Sequence, residues 1–322
     1  MLDKSIAGVK AMLLLVAVTF VVSSCLKDPD ITPSDSAARA RLEMTDAPTD
    51  DPNVKGVFIT VVDVLVDGKS WAGFDGKTTF DLLAFQKGQT KLLGEGELKA
   101  GTYKEVVLVL NTETDANGIS PGCYVLDAQG VKRKLEGGSQ LAVKAQGSFA
   151  TKANETTEAI VDMDLRKSIV YKSASTTDFQ FVTDPELKAA VRLLDKASTG
   201  SITGDCTDGV SGSEKIIVYA YTKGSYNVTE KFPQGASDVQ FKNAVTSSVV
   251  ASDGDFNLSF LESGAYELHF ISYKAGSDGS LQANGELQLN ILSSTTLNLL
   301  GLNVTAKGNI NMDLAVTGIL FF

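Results

Sequence analysis

The chain has 322 residues and a formal net charge of −10, from 29 Lys and Arg against 39 Asp and Glu, with one histidine and three cysteines. Its length suggests about two domains, and 43% hydrophobic with 21% charged residues excludes a disordered or fibrous chain. The acidic balance excludes a non-specific grip on a phosphate backbone, so no nucleic-acid partner is expected, and a single histidine removes most histidine-based catalysis and most metal sites.

At the start of the chain, Lys4 and Lys10 flank a short basic segment before the apolar run Ala11 to Val22, which ends in Ser23-Ser24-Cys25. The run is too short to span a bilayer, which takes about 20 residues, and suits the core of a signal peptide. Small residues before a cysteine directly after such a core resemble the lipobox of bacterial lipoproteins. That resemblance implies a signal peptide over 1–24, cleavage before an acylated Cys25, and an outer-membrane lipid anchor as partner. Residues 25–40, with Pro29, Pro33 and several Ser and Asp, read as a lipidated flexible tether. Leu26-Lys27-Asp28-Pro29-Asp30 resembles the export signal of surface-displayed lipoproteins in some Gram-negative bacteria, which implies cell-surface exposure. Read as a plain solvated tether, the same residues leave a periplasm-facing orientation open.

Strand signals follow along the whole remaining chain. Val54 to Val66 is rich in β-branched residues and puts Val57, Ile59 and Val61 on one face. Glycines punctuate a turn around Trp71, and Val106 to Leu110 has strand length. Ile160 to Leu165 alternates, with Ile160, Asp162 and Asp164 on one face. Glu186 to Leu194 suits a short helix by composition and a strand by length, and both stay open. Ile216 to Tyr221 is a strand; Phe256, Leu258 and Phe260 share a face, as do Tyr266, Leu268 and Phe270, and as do Ile310, Met312, Leu314 and Val316. Short strands with Gly, Asn and Asp turns predict an all-β chain of two antiparallel, immunoglobulin- or prealbumin-like β-sandwich domains, 41–197 and 198–322. Leu98-Lys99-Ala100-Gly101-Thr102-Tyr103 is echoed by Leu261-Glu262-Ser263-Gly264-Ala265-Tyr266. Each predicts a sandwich corner in which the tyrosine hydroxyl caps the backbone.

Leu42-Glu43-Met44-Thr45-Asp46-Ala47-Pro48 resembles the opening of the domain-of-unknown-function 4382 family, with Thr45, Asp46, Ala47 and Pro48 as its motif. Asp81-Leu82-Leu83, Leu98 to Tyr103, Asp164 to Ile169 and Leu187 to Leu193 continue the resemblance in order across about 41 to 194. The chain departs from the family at Glu186-Leu187-Lys188, where many members carry a Lys-Pro pair. The resemblance implies a secreted, lipid-anchored sandwich domain and no known activity. Gly200 to Gly204, Asp253 to Leu258 and Leu261-x-x-Gly264-x-Tyr266-x-Leu268 resemble the carboxypeptidase regulatory-like, or prealbumin-like, domain. That resemblance implies an accessory domain with a structural or binding role.

Candidate chemistry is sparse. His269 lies on the strand face opposite Tyr266, Leu268 and Phe270 and reads as solvent-facing; no Gly-x-Ser-x-Gly elbow accompanies it. Gly76-Lys77-Thr78 lacks the earlier glycine of a P-loop. Asp253, Asp255 and Asn257 open like a calcium loop, but Leu258 and Gly264 stand where it needs Gly and Glu. Asp46, Asp50 and Asp51 suit Asx-turns better than a calcium site. Trp71 and Phe74 are the candidate sugar platform, against a reading of Trp71 as a core plug. Cys123 and Cys206 either form a disulfide across the two halves or are two buried free thiols. No cofactor, metal or catalytic residue is expected. The sequence reads as a lipid-anchored surface protein with a non-catalytic binding or adhesion role toward a protein or glycan. A structural subunit of an envelope complex and a carbohydrate-active enzyme with a carboxylate pair are the alternatives.

Overall fold

The computed structural model describes residues 37–47, 51, 53–173, 175, 177–276 and 281–322. Cys25, the signal peptide, the export signal, Pro48 and Asp50 lie outside the described residues. The chain is all-β as expected, with two large sheets that each close around a core of their own. Together they form one compact unit over 36–322.

The first sheet has 13 strands. Its main path runs Ile169–Tyr171, Phe179–Phe181, Lys132–Glu136, Tyr124–Asp127, Val54–Val66, Val106–Asn111, Gln140–Gly147, Val191–Asp195, Thr156–Asp164, Ala37–Ala47, Lys91–Lys99. The sheet folds over at Gly147, where the pairing passes from Val106–Asn111 to Arg192 and Leu193. Gly147 has φ 133°, and a Cβ there would run into the Leu193 carbonyl, so only glycine lets the two layers meet. Val57, Ile59 and Val61 are buried between the layers with Leu42, Met44, Leu108, Val161 and Leu193. A register shift between Val61 and Asp63 reverses the alternation, so Val64 and Val66 then take the inward positions.

The second sheet has eight strands, with the main path Thr246–Val250, Lys215–Thr222, Gly264–Ala275, Leu281–Ile291, Asn309–Phe321, Thr199–Thr207, Asp255–Glu262. Met312, Leu314 and Val316 of the final strand point into its core as predicted. Both sheets are mixed rather than purely antiparallel. Ala37–Ala47 runs parallel to Thr156–Asp164, and Thr199–Thr207 runs parallel to Asn309–Phe321. In each half an early strand lies beside a late one, and the long intervening chain is what permits a parallel neighbour.

Both corners form as the sequence predicts. Tyr103 Oη donates to Lys99 O at 2.7 Å and Tyr266 Oη donates to Glu262 O at 2.9 Å. The open segment 186–194 contains both alternatives, a helix Asp184–Ala190 followed by a strand Val191–Asp195.

Two predicted faces change. Phe260 leaves the face of Phe256 and Leu258, because a bulge opposite Gly200–Ile202 holds it at φ 55° and turns Leu261 inward instead. His269 is 7% exposed rather than solvent-facing. The stretch between Thr222 and Thr246 folds back over the outer face of the second sheet, where Phe241 and Ala244 pack with Tyr219, Tyr221, Ile271 and Tyr273. His269 is stacked on Tyr226 beneath that cover, with its Nδ1 2.6 Å from Glu286 Oε1.

Candidate functional site: the seam between the two halves

The Asp-bearing face of Thr156–Asp164 does not meet water. It meets the second half, and the ionisable groups of the first half gather there. Asp162 accepts from Arg192 Nε at 3.0 Å and from its Nη2, and Arg192 Nη1 reaches Phe260 O at 3.3 Å. Asp164 Oδ2 accepts from Arg166 Nη2 at 3.0 Å and pairs with Lys167 Nζ at 3.1 Å. Arg166 Nη1 donates to Gln240 O at 2.7 Å and Phe241 O at 2.8 Å, and Lys167 Nζ donates to Ala244 O at 2.9 Å. The Arg166 guanidinium also lies 5.2 Å from the Tyr219 ring.

The second half prepares for these contacts with unusual backbone. Phe241 and Phe260 sit at φ 49° and 55°, a region that bulky residues rarely enter. Their carbonyls are the ones that take the two arginines, so local strain is balanced by charge-assisted hydrogen bonds across the seam.

The family-motif residues stand at the edge of this network. Thr45 Oγ1 donates to Phe85 O and Gln89 O at 2.9 and 2.8 Å, which ties down the segment after Leu82–Ala84. Asp46 Oδ1 accepts from Leu165 N at 3.1 Å, while its Oδ2 has no hydrogen-bond partner. Burial raises the Asp46 pKa well above the usual carboxylate value, and the Asp164 and Asp162 charges add to it against the opposing Leu165 amide and Gln86. Ala47 pairs with Asp164 at the end of its strand. Burial lowers the Lys167 pKa, although the Asp164 charge opposes it.

A second contact crosses the seam at the helix Asp184–Ala190. Glu186 Oε1 accepts from Ala236 N at 2.8 Å and Ser237 N at 3.2 Å, and its Oε2 accepts from Ser237 Oγ at 2.5 Å and Thr183 Oγ1 at 2.7 Å. Burial works to raise its pKa, yet these donors outweigh burial and hold it down at about 2. Gly235, at φ 78°, gives the carboxylate room that a Cβ would occupy. Between the two contacts a cleft of about 340 Å³ opens, walled by Tyr171 and Phe179 on one side and by Pro233 and Ser237 to Gln240 on the other. The two aromatic rings lie 4.5 Å apart, and Tyr171 Oη donates to Asp51 Oδ2 at 2.5 Å. Asp51 also caps a turn by accepting from Asn53 N at 2.8 Å.

Trp71 is not a platform. It is 5% exposed, its Nε1 donates to Glu97 O at 3.2 Å, and its ring lies against Gly73 and near Gly96. Phe74 is half-buried and bridges to Gly94, so the loop closes the outer edge of the strand Lys91–Lys99 and no ring face is offered to a sugar. Cys123 and Cys206 do not bridge the halves. They are free thiols in two different cores, and burial pushes their pKa values up to about 11 and about 12, which leaves them unreactive. Asp253 and Asp255 form a turn, with Asp255 N donating to Asp253 Oδ1 at 3.3 Å. Among the described residues, no group of three or more His, Cys, Asp or Glu side chains is placed to hold a metal ion. In the sequence, the alternation in Ile160 to Leu165 marked the face of Asp162 and Asp164; Arg166, Lys167, Glu186 and Arg192 fell in stretches compared with the family, with no role assigned to them.

Residues 37–181 match the model of the family described as Domain of unknown function (DUF4382). The match contains the Thr45-Asp46-Ala47-Pro48 motif and ends before the helix Asp184–Ala190. No curated protein matches the chain. Similar solved structures include the Bacillus anthracis TIE protein, 13% identical over 87% of this chain and 34% of that one, with a TM-score of 0.20. This chain therefore spans about a third of that protein. BcpA, the major pilin subunit of Bacillus cereus, is 8% identical over 86% of this chain and 70% of its own, with a TM-score of 0.21. A proposed cell adhesion protein from Bacteroides fragilis is 12% identical over 88% and 96%, with a TM-score of 0.19.

Proposed function

We propose that the chain is a lipid-anchored surface protein of a Gram-negative bacterium with a non-catalytic binding or adhesion role toward a protein or glycan partner. In this reading Cys25 carries the anchor, the tether runs from it up to the strand Ala37–Ala47, the chain from that strand to 197 is the family's sandwich domain and 198–322 is a prealbumin-like accessory domain. The observation that carries the reading is the use of the buried charges. Asp162, Asp164, Arg166, Lys167 and Arg192 are engaged in holding one half against the other. The result is a presenting body, and the seam cleft is a pocket of ligand size in it. A short glycan or peptide epitope would seat on the Tyr171 wall rather than on Trp71.

Protease shaving of intact cells, followed by antibody with a lysate digested in parallel, tests the placement. Loss of the protein from intact cells is the expected result. Survival until lysis, with full digestion in the lysate, would turn the search to periplasmic assembly partners. Binding is tested by glycan and peptide arrays on the purified protein and its Tyr171→Ala variant. Turnover of a polysaccharide by the pure protein would overturn the non-catalytic reading.

A further inference from the structure

A small cavity lies inside the seam, apart from the cleft. It is lined by Thr45, Asp46, Lys87, Gly88 and Asp162 from the first half and by Thr246, Ser247, Asn257, Ser259 and Phe260 from the second. It has about 10 Å³ of room for the centre of a water-sized sphere, close to the least that one water needs. Two of the lining residues carry a buried polar atom with no hydrogen-bond partner, Asp46 Oδ2 and Ser247 Oγ. One belongs to each half. Buried polar atoms in native proteins are paired with protein or with ordered water in the great majority of cases.

We propose that one ordered water molecule is bound in this cavity, hydrogen-bonded to Asp46 Oδ2 and Ser247 Oγ, and that it joins the two halves of the chain. The walls can complete the roughly three bonds such a water makes. Ser259 Oγ donates to Asn257 Oδ1 at 2.7 Å and keeps its acceptor capacity. Charge argues for water over a cation. Asp162 is paired with Arg192, and Asp164 with Arg166 and Lys167. Burial raises the Asp46 pKa well above the usual carboxylate value, and its Oδ2 is the atom left without a hydrogen-bond partner. The strained turn at Phe260 lines the cavity and delivers its carbonyl to Arg192, so the water and the ion pair are parts of one joint.

Crystal structures of the full chain and of its Ser247→Val and Ser247→Ala variants test this. The expected result is a single oxygen about 2.7–3.2 Å from both Asp46 Oδ2 and Ser247 Oγ, lost in Ser247→Val, where the methyl groups fill its place. Ser247→Ala keeps the cavity open, so the oxygen stays on Asp46 and the melting temperature falls by about 2–4 °C. An empty cavity in the unsubstituted protein overturns the proposal, as does a scatterer ringed by six or more oxygens at about 2.3–2.6 Å, the signature of a calcium ion. If Ser247→Val does not fold, the unsubstituted protein and Ser247→Ala decide the question. An unchanged melting temperature in Ser247→Ala then counts against it.

Discussion

The two tyrosine corners are near-copies in sequence and in their hydrogen bond, yet they sit in different surroundings. Tyr266 is buried in the core of the second half. Tyr103 is half-exposed on the strand Gly101–Tyr103, at the rim of the first half, and stacks on Phe149 at 5.3 Å. The carbonyl it caps, Lys99 O, also accepts from Thr151 Oγ1 at 2.7 Å. A sextet of residues thus sets the bond itself, because the glycine turn and the four-residue reach are local. What the bond is worth depends on the chain that later covers it. The same contrast separates the corners, which short stretches build, from the seam, which no short stretch encodes.

The sharpest way to test that contrast is to break the seam. Arg192→Ala leaves Asp162 buried without its partner and releases the strained Phe260 carbonyl, and should cost about 3–5 kcal/mol in denaturant unfolding. A loss no greater than that at an exposed pair would mean that the seam contributes no more than surface contacts. Asp46→Asn probes the same joint by pH. The folded-state pKa of Asp46 is raised, so its contribution to stability is complete below the ordinary value of 3.8 and is lost as pH rises through the raised value. Melting temperatures of the unsubstituted protein should therefore fall relative to Asp46→Asn as pH climbs above 3.8 and through the raised value.

The corners come next. Tyr266→Phe should cost about 1–1.5 kcal/mol and Tyr103→Phe about 0.5 kcal/mol, since Thr151 still serves Lys99 O in the latter. Equal losses would make the corners equivalent and erase the distinction drawn above. The smallest effect belongs to Glu186, which is half-exposed and screened by solvent. Its pKa is depressed, so its contribution is present above 4.5 and is lost as pH falls toward about 2. Glu186→Gln should flatten the acid limb of the stability profile within that window and leave neutral stability little changed.

Much of the fold was legible before the structure. Val57, Ile59 and Val61 point inward, as do Met312, Leu314 and Val316, because strand alternation against a core leaves no other arrangement. Where reading failed, something distant had intervened. Alternation said that Phe260 would follow Phe256 and Leu258, and a bulge added one residue to the count. It said that His269 would face water, and the stretch between Thr222 and Thr246 covers it. An aromatic residue among glycines reads as a platform or as a plug, and the close approach of Gly73 to Gly94 and Gly96 makes Trp71 a plug.

By itself, then, the sequence determined the all-β architecture, the two corners and most inward faces. These follow from periods and turns that span only a few residues. Only the tertiary structure decided that Asp162 and Asp164 are buried, that Arg166 and Arg192 meet the carbonyls of two left-handed phenylalanines, and that the cysteines remain apart. Each of those outcomes depends on which surface of one half comes to cover which surface of the other, and a residue's own neighbours in sequence carry no record of what will cover it.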